Sequence, residues 1–175
     1  SDIDGEFSTK GPNSSDLAQF TYSDLSPGNH TVTVTATDST GLFDDAIISF
    51  IVNGVPNQPT SLTISPDPAT TSQNLTALAS GSVDPDGSSV SYNYEWLLSG
   101  STMSVGPTLD SSMTTKGDFW TVRATPFDGV SSGQYAETSI TIANSEPVVS
   151  TVTLSPTAPT TQDDITCTYV ATDPD

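Results

Sequence analysis

Three aspartates stand in two short turns of the sequence, where carboxylates beside glycine and proline could bind a metal ion. Asp84 and Asp86 belong to an Asp-Pro-Asp-Gly turn, and Asp128 is followed directly by a glycine. Calcium takes six to eight oxygen ligands, chiefly from carboxylates, amide carbonyls and water. If the two turns meet, Asp84, Asp86 and Asp128 predict a calcium site, with Asn57 of a nearby proline-rich linker as a further ligand.

The same turns have a second interpretation that needs no metal. Aspartate, proline and glycine are common turn formers because of their backbone preferences. The acidic residues are scattered along the chain, which is typical of a solvated, self-repelling surface. The calcium site and the plain acidic turn therefore both stay open at the level of the sequence.

No set of residues in the sequence suits catalysis. There is one cysteine, Cys167, and one histidine, His30, and the latter alternates with threonine and valine like an ordinary strand residue. We find no nucleophile with a base partner, no cluster of metal-binding histidines or cysteines and no phosphate-binding glycine loop. The sequence therefore predicts a protein that is not an enzyme and has no cofactor other than calcium.

The charge excludes two classes of partner. Only 3 lysines and arginines stand against 21 aspartates and glutamates, which gives a net charge of -18. Such a chain repels the phosphates of nucleic acids and anionic membrane surfaces. No apolar run could span a membrane, and the first residues carry no signal peptide. We expect an extracellular or cell-surface protein whose export signal and anchor lie outside these residues.

A strand hairpin is encoded between residues 117 and 144. Trp120, Val122 and Ala124 alternate with polar residues, a period of two that places them on one face of a strand. An Asp-Gly turn follows, and Ile140 and Ile142 continue the alternation on the way back. One face of this hairpin is therefore expected to be buried.

The pattern recurs along the chain at a spacing of about 90 residues. Residues 28–53 parallel 117–144, the Ser-Pro pair at 65–66 returns at 155–156, and the Asp-Pro-Asp triplet at 84–86 returns at 173–175. Seven or so short strands for each repeat, without a helix signal, favour a two-sheet sandwich, because each apolar face needs another to cover it. The predicted fold is all-β, with tandem antiparallel β-sandwich repeats of the immunoglobulin-like type.

The repeat predicts three domains. Residues 1–54 form the C-terminal part of one repeat, residues 55–144 a complete repeat, and residues 145–175 the N-terminal part of the next. In such a sandwich the turns with Asp84, Asp86 and Asp128 lie at the end where the chain enters. We expect Asp24, with Asp2 and Asp4 close by, at the facing end of the preceding repeat.

The stretches 26–34 and 117–122 resemble the immunoglobulin-like and PKD-like (cadherin-like) repeats of large bacterial and archaeal surface proteins. The resemblance implies a sandwich in which Trp96 is the core tryptophan of the third strand. It also implies that Asp118 and Trp120 occupy a corner of the fold where such domains carry aspartate and tyrosine. The motifs of the resemblance are moderately specific for the sandwich and weak for any activity.

These observations predict a structural repeat segment of a microbial surface protein, in the role of a stalk, filament, spacer or adhesin. Its partners would be neighbouring repeats of the same polypeptide, other copies of the chain, or surface glycans and proteins. One alternative is a module that recognises glycans or proteins through the polar stretch 99–115, which contains no aromatic residue. Another is an accessory domain of a secreted enzyme.

Overall fold

Regular structure in this protein consists almost entirely of β-strands. The structure is a computed structural model that describes residues 1–175. The strands are β1 (Gly28–Thr37), β2 (Phe43–Val52), β3 (Ser61–Ser65), β4 (Ala69–Thr70), β5 (Leu75–Ser80), β6 (Ser91–Leu98), β7 (Ser101–Val105), β8 (Thr108–Leu109), β9 (Phe119–Phe127), β10 (Ala136–Ala143), β11 (Val148–Ser155) and β12 (Thr166–Thr172). A single turn of 3-10 helix covers Ser111–Met113. No helix is long and apolar enough to cross a membrane. The predicted all-β class is confirmed.

Eight of the strands form a two-sheet sandwich. One sheet has the order β3-β5-β8 and the other the order β4-β10-β9-β6-β7. The hairpin of β9 and β10 is antiparallel and pairs Trp120 with Ile140 and Val122 with Thr138. The alternation in the sequence predicted this hairpin, because a period of two is what one buried face requires.

Side chains from both sheets meet in one apolar core. On β5 every second residue is buried, beginning with Leu75, and β9 buries Trp120 and Val122 in the same way. Trp96 on β6 is fully buried, as the resemblance implied, and its indole N–H donates to the Gly106 carbonyl at 3.1 Å. The core consists of Ala69, Leu75, Ala77, Trp96, Leu109, Trp120, Val122, Ile140 and Ile142.

Two further hairpins, β1 with β2 and β11 with β12, are sheets of two strands. The register of β11–β12 repeats that of β3–β5. Leu154 pairs with Cys167 as Ile64 pairs with Ala77, with each partner 90 residues further along the chain. Cys167 thus takes the place of a small core residue, but here it is exposed.

The chain divides into two compact units. The first unit comprises Ser1–Pro59, Gly81–Tyr92 and Thr125–Tyr135, and the second comprises Thr60–Ser80, Asn93–Ala124 and Ala136–Asp175. The sandwich core lies in the second unit. Because these units divide the segment 55–144, the repeat limits at residues 54 and 144 stay predictions.

The packing of the core predicts different losses of stability for substitutions at two leucines of β5. Leu75 is fully buried, whereas Leu78 on the opposite face of β5 is 66% exposed. We expect Leu75→Ala to lower the free energy of unfolding by about 2–5 kcal/mol, because it removes buried surface and leaves a cavity. Leu78→Ala should change it by less than about 0.5 kcal/mol.

Urea unfolding followed by tryptophan fluorescence measures this difference, since both tryptophans belong to the core. Equal losses of stability for the two variants would contradict the described packing.

Candidate metal centre

The three aspartates predicted to bind calcium lie together in the first unit. One carboxylate oxygen from each of Asp84, Asp86 and Asp128 lies within 4.8 Å of the other two. Asp84 and Asp86 stand in the turn that precedes β6, and Asp128 directly follows β9. Asp84 is buried and only 4% exposed, and the other two are partly buried. We call these three side chains the carboxylate cluster.

Local hydrogen bonds fix the turn before β6. The Asp86 N–H donates to Asp84 Oδ1 at 2.9 Å, and the Ser88 N–H donates to Asp86 Oδ1 at 3.0 Å. Gly87 closes the turn by donating its N–H to the Asp84 carbonyl at 3.1 Å. Its φ of +85° lies in the left-handed region, where glycine is favoured because it has no Cβ. The Asp-Pro-Asp-Gly sequence therefore holds its own carboxylates in place.

Asp128 is held by the turn between β9 and β10. Its Oδ1 accepts the N–H groups of Val130 and Ser131, both at 2.6 Å. Asp38, at the matching place between β1 and β2, accepts the N–H groups of Thr40 at 2.8 Å and Leu42 at 3.0 Å. The two turns are alike, but Asp38 does not belong to the carboxylate cluster.

One oxygen of the cluster lacks a partner. Asp84 Oδ2 is buried and makes no hydrogen bond. Burial, together with the charges of Asp86 and Asp128, raises the pKa of Asp84 above its usual range. The Ser88 hydroxyl and the Gly54 N–H lower the pKa of Asp86. A buried, uncompensated carboxylate among like charges is the environment that a bound cation would stabilise.

The cluster also holds the chain that leaves β2. Asn53 donates its side-chain N–H to Asp128 Oδ2 at 3.1 Å, and the Gly54 N–H donates to Asp86 Oδ2 at 2.6 Å. A Cβ on Gly54 would lie 3.0 Å from Pro85 Cδ, so glycine allows this close approach. The sequence analysis does not identify Asn53 and Gly54 as partners of the cluster, although asparagine recurs at 53 and 144 at the ends of the two matching hairpins.

Asn57 braces the turn beside the cluster. Its side-chain oxygen accepts the N–H of Val83, and its own N–H donates to the Val83 carbonyl at 3.1 Å. These bonds hold the residue that precedes Asp84. The role of Asn57 as a metal ligand stays a prediction.

Two of the aspartates expected at the facing end of the preceding repeat accept hydrogen bonds from backbone N–H groups. Asp2 Oδ1 accepts the N–H of Thr31 at 2.8 Å, and Asp4 Oδ2 accepts the N–H of Ser26 at 3.2 Å. Asp24 is exposed. None of the three belongs to the carboxylate cluster.

The arrangement around Gly54 occurs a second time, in the second unit. The Ser145 N–H donates to Asp175 Oδ1 at 3.0 Å, as the Gly54 N–H does to Asp86. The side-chain N–H of Asn144 contacts the Ser145 carbonyl, and that of Asn53 contacts the Gly54 carbonyl in the same way. We call each set a clasp. The first clasp consists of Asn53, Gly54 and Asp86, and the second of Asn144, Ser145 and Asp175.

Comparison with known proteins defines the fold class. No family model matches the chain, and no curated protein matches it in sequence. Among solved structures, the chain is similar to domains d3–d4 of the rat CD45 extracellular region, with a TM-score of 0.53 and 14% sequence identity. The match covers 78% of this chain and 76% of that chain. Together with the two-sheet architecture, this similarity shows an immunoglobulin-like β-sandwich fold.

Because the Asp84 charge lacks a cationic partner, removing it by substitution is expected to stabilise the protein. In a chelator at neutral pH, we expect Asp84→Asn to raise the melting temperature, because the amide keeps the bond from the Asp86 N–H and removes a buried like charge. The folded-state pKa of Asp84 is raised, so its ionisation costs stability above the ordinary carboxyl range. That cost disappears as the pH falls through the folded-state pKa. The advantage of the variant should therefore shrink as the pH is lowered.

Differential scanning calorimetry between pH 4 and pH 7.5 measures this advantage. The control is Asp45→Asn, which removes an exposed charge on β2. A variant at Asp84 that is less stable than the wild type in chelator would contradict the described electrostatics.

Proposed function

We propose that the chain is a segment of a non-enzymatic structural repeat array at a microbial cell surface, and that calcium stiffens a joint of this array. Asp84, Asp86 and Asp128 would hold the ion. The observation that carries the proposal is Asp84 Oδ2, a buried oxygen without a partner inside a cluster of three carboxylates. The two other carboxylates of that cluster already hold the chain that leaves β2.

The repeated registers and clasps support the array. Hairpins β3–β5 and β11–β12 share one register at a separation of 90 residues. In the same way, Val32 pairs with Ile48 as Val122 pairs with Thr138. A clasp follows both β2 and β10. Because each feature returns at nearly the same interval, the chain reads as successive copies of one structural unit.

The ligand chemistry favours calcium among the common cations. Calcium accepts carboxylate oxygens in irregular arrangements and completes its shell with carbonyls and water, whereas magnesium demands a near-ideal octahedron. Asp84 Oδ2 offers an oxygen that no hydrogen bond occupies. The oxygens of Asp86 and Asp128 would share the ion while they keep their bonds to backbone N–H groups.

Calcium at this place would act on the mechanics of the joint. Asn53 and Gly54 connect β2 to the proline-containing linker before β3, and both donate to carboxylates of the cluster. Neutralising those carboxylates would remove their mutual repulsion and so fix the linker. The net charge of -18 then keeps the remaining surface soluble and favours extension.

The location and the partners of the array form part of the same proposal. The resemblance to surface repeats of bacteria and archaea supports export to the cell surface. Ile48 on β2 and Leu154 on β11 are more than half exposed. The residues that match them in register, Thr138 and Ile64, belong to strands of the sandwich. We propose that strands of neighbouring repeats, like those of the sandwich, cover these apolar faces.

The test compares two aspartates in similar turns. We expect millimolar calcium to raise the melting temperature of the wild-type chain by several degrees relative to chelator. An affinity in the range of extracellular modules corresponds to about 1–2 kcal/mol at 5 mM calcium. Asp128→Asn should lose most of this shift, whereas Asp38→Asn should keep it. Scanning calorimetry is the suitable measurement, because it detects both units.

No calcium shift in the wild type, or an equal loss in the two variants, would refute the calcium joint. Magnesium at the same concentration serves as the control for ionic strength.

A further inference from the structure

The second clasp contains a cationic side chain where the first contains none. Lys116 Nζ contacts Asn144 Oδ1 and lies 3.5 Å from Asp175 Oδ2. We infer that Lys116 is the built-in counter-ion of the second clasp and makes this clasp independent of calcium. The inference rests on the proposed function, since it assigns different cations to two copies of one arrangement.

The oxygens of Asp175 both have partners. Asp175 Oδ1 accepts the Ser145 N–H at 3.0 Å and the Thr71 hydroxyl at 2.6 Å, while Oδ2 faces the Lys116 ammonium. The Ser145 hydroxyl in turn bonds the Thr71 hydroxyl at 2.8 Å. Each carboxylate oxygen of Asp175 therefore has a partner, and the partner of Oδ2 is a cation.

The matching place at the first clasp is occupied by an uncharged residue. Pro27 directly precedes Gly28 as Lys116 directly precedes Gly117, and a Cβ on Gly54 would lie 3.2 Å from Pro27 Cβ. The two other cations of the chain are engaged elsewhere. Lys10 donates to the Gln19 carbonyl, and Arg123 pairs with glutamates of the sandwich. The first clasp thus lacks a side-chain cation.

The consequence is a chain with two kinds of joint. At the first clasp, Asp86 belongs to the carboxylate cluster, where calcium would supply the positive charge. At the second clasp, one ammonium group closes a ring of contacts through Asn144, Ser145 and Asp175. A fall in calcium concentration would then loosen the first joint and leave the second one unchanged.

Backbone amides report on each clasp separately. The Gly54 N–H donates to Asp86, and the Ser145 N–H donates to Asp175, so each amide exchanges faster when its own clasp opens. Hydrogen exchange of both amides is measured by NMR on the full chain, in calcium and in chelator. The variants are Lys116→Gln and, as a control for the loss of one positive charge, Lys10→Gln.

In the wild type, calcium should slow exchange at Gly54 and leave Ser145 unchanged. In chelator, Lys116→Gln should speed exchange at Ser145 by roughly two- to fivefold, the range expected for an exposed ion pair. It should leave Gly54 unaffected, and Lys10→Gln should alter neither amide.

Unchanged exchange at Ser145 in Lys116→Gln, or an equal increase in Lys10→Gln, would overturn the role of Lys116. A slowing of Ser145 by calcium in the wild type would also overturn it. If Gly54 did not respond to calcium, the proposed calcium joint would fail, while Ser145 would still decide the role of Lys116 independently.

Discussion

Like charges held close together by two turns set the main constraint on this molecule. Three carboxylates approach within 4.8 Å in a chain that carries only three cationic side chains. Backbone N–H groups compensate two of them, because Asp86 and Asp128 each accept more than one such bond. Asp84 retains a buried oxygen without a partner. Such a group costs folding free energy unless a cation or a proton meets it, and this cost gives the site its expected sensitivity to calcium and to pH.

The strand pattern explains why the carboxylates meet. β9 buries every second residue and β6 buries Trp96, so both strands are fixed in the sheet that carries Trp96 and Trp120. The turn with Asp84 and Asp86 precedes β6, and Asp128 follows β9. Rigid strands with short connections thus deliver side chains from distant parts of the sequence to one place, which is how sandwich folds generally build sites.

Much of this organisation could be predicted from the sequence because it depends on side-chain type and spacing. The hairpins β1–β2 and β9–β10 follow from alternation and turn residues, and the resemblance to immunoglobulin-like repeats implied the burial of Trp96. The convergence of Asp84 and Asp128 follows from the order of strands in a sandwich. The clasps could not be predicted in the same way, because Gly54 and Ser145 act through backbone N–H groups that any residue except proline possesses. The hydrogen bond from the Val83 N–H to Asn57 could not be predicted for the same reason.

The central claim is that the carboxylate cluster binds calcium, and a crystal structure of the chain grown in millimolar calcium tests it most directly. The account predicts an anomalous density peak bonded to Asp84, Asp86 and Asp128, at the distances of about 2.3–2.6 Å that calcium makes to oxygen. It predicts no such peak beside Asp175, where Lys116 supplies the charge. Three carboxylates in their described positions with only water between them would contradict the claim.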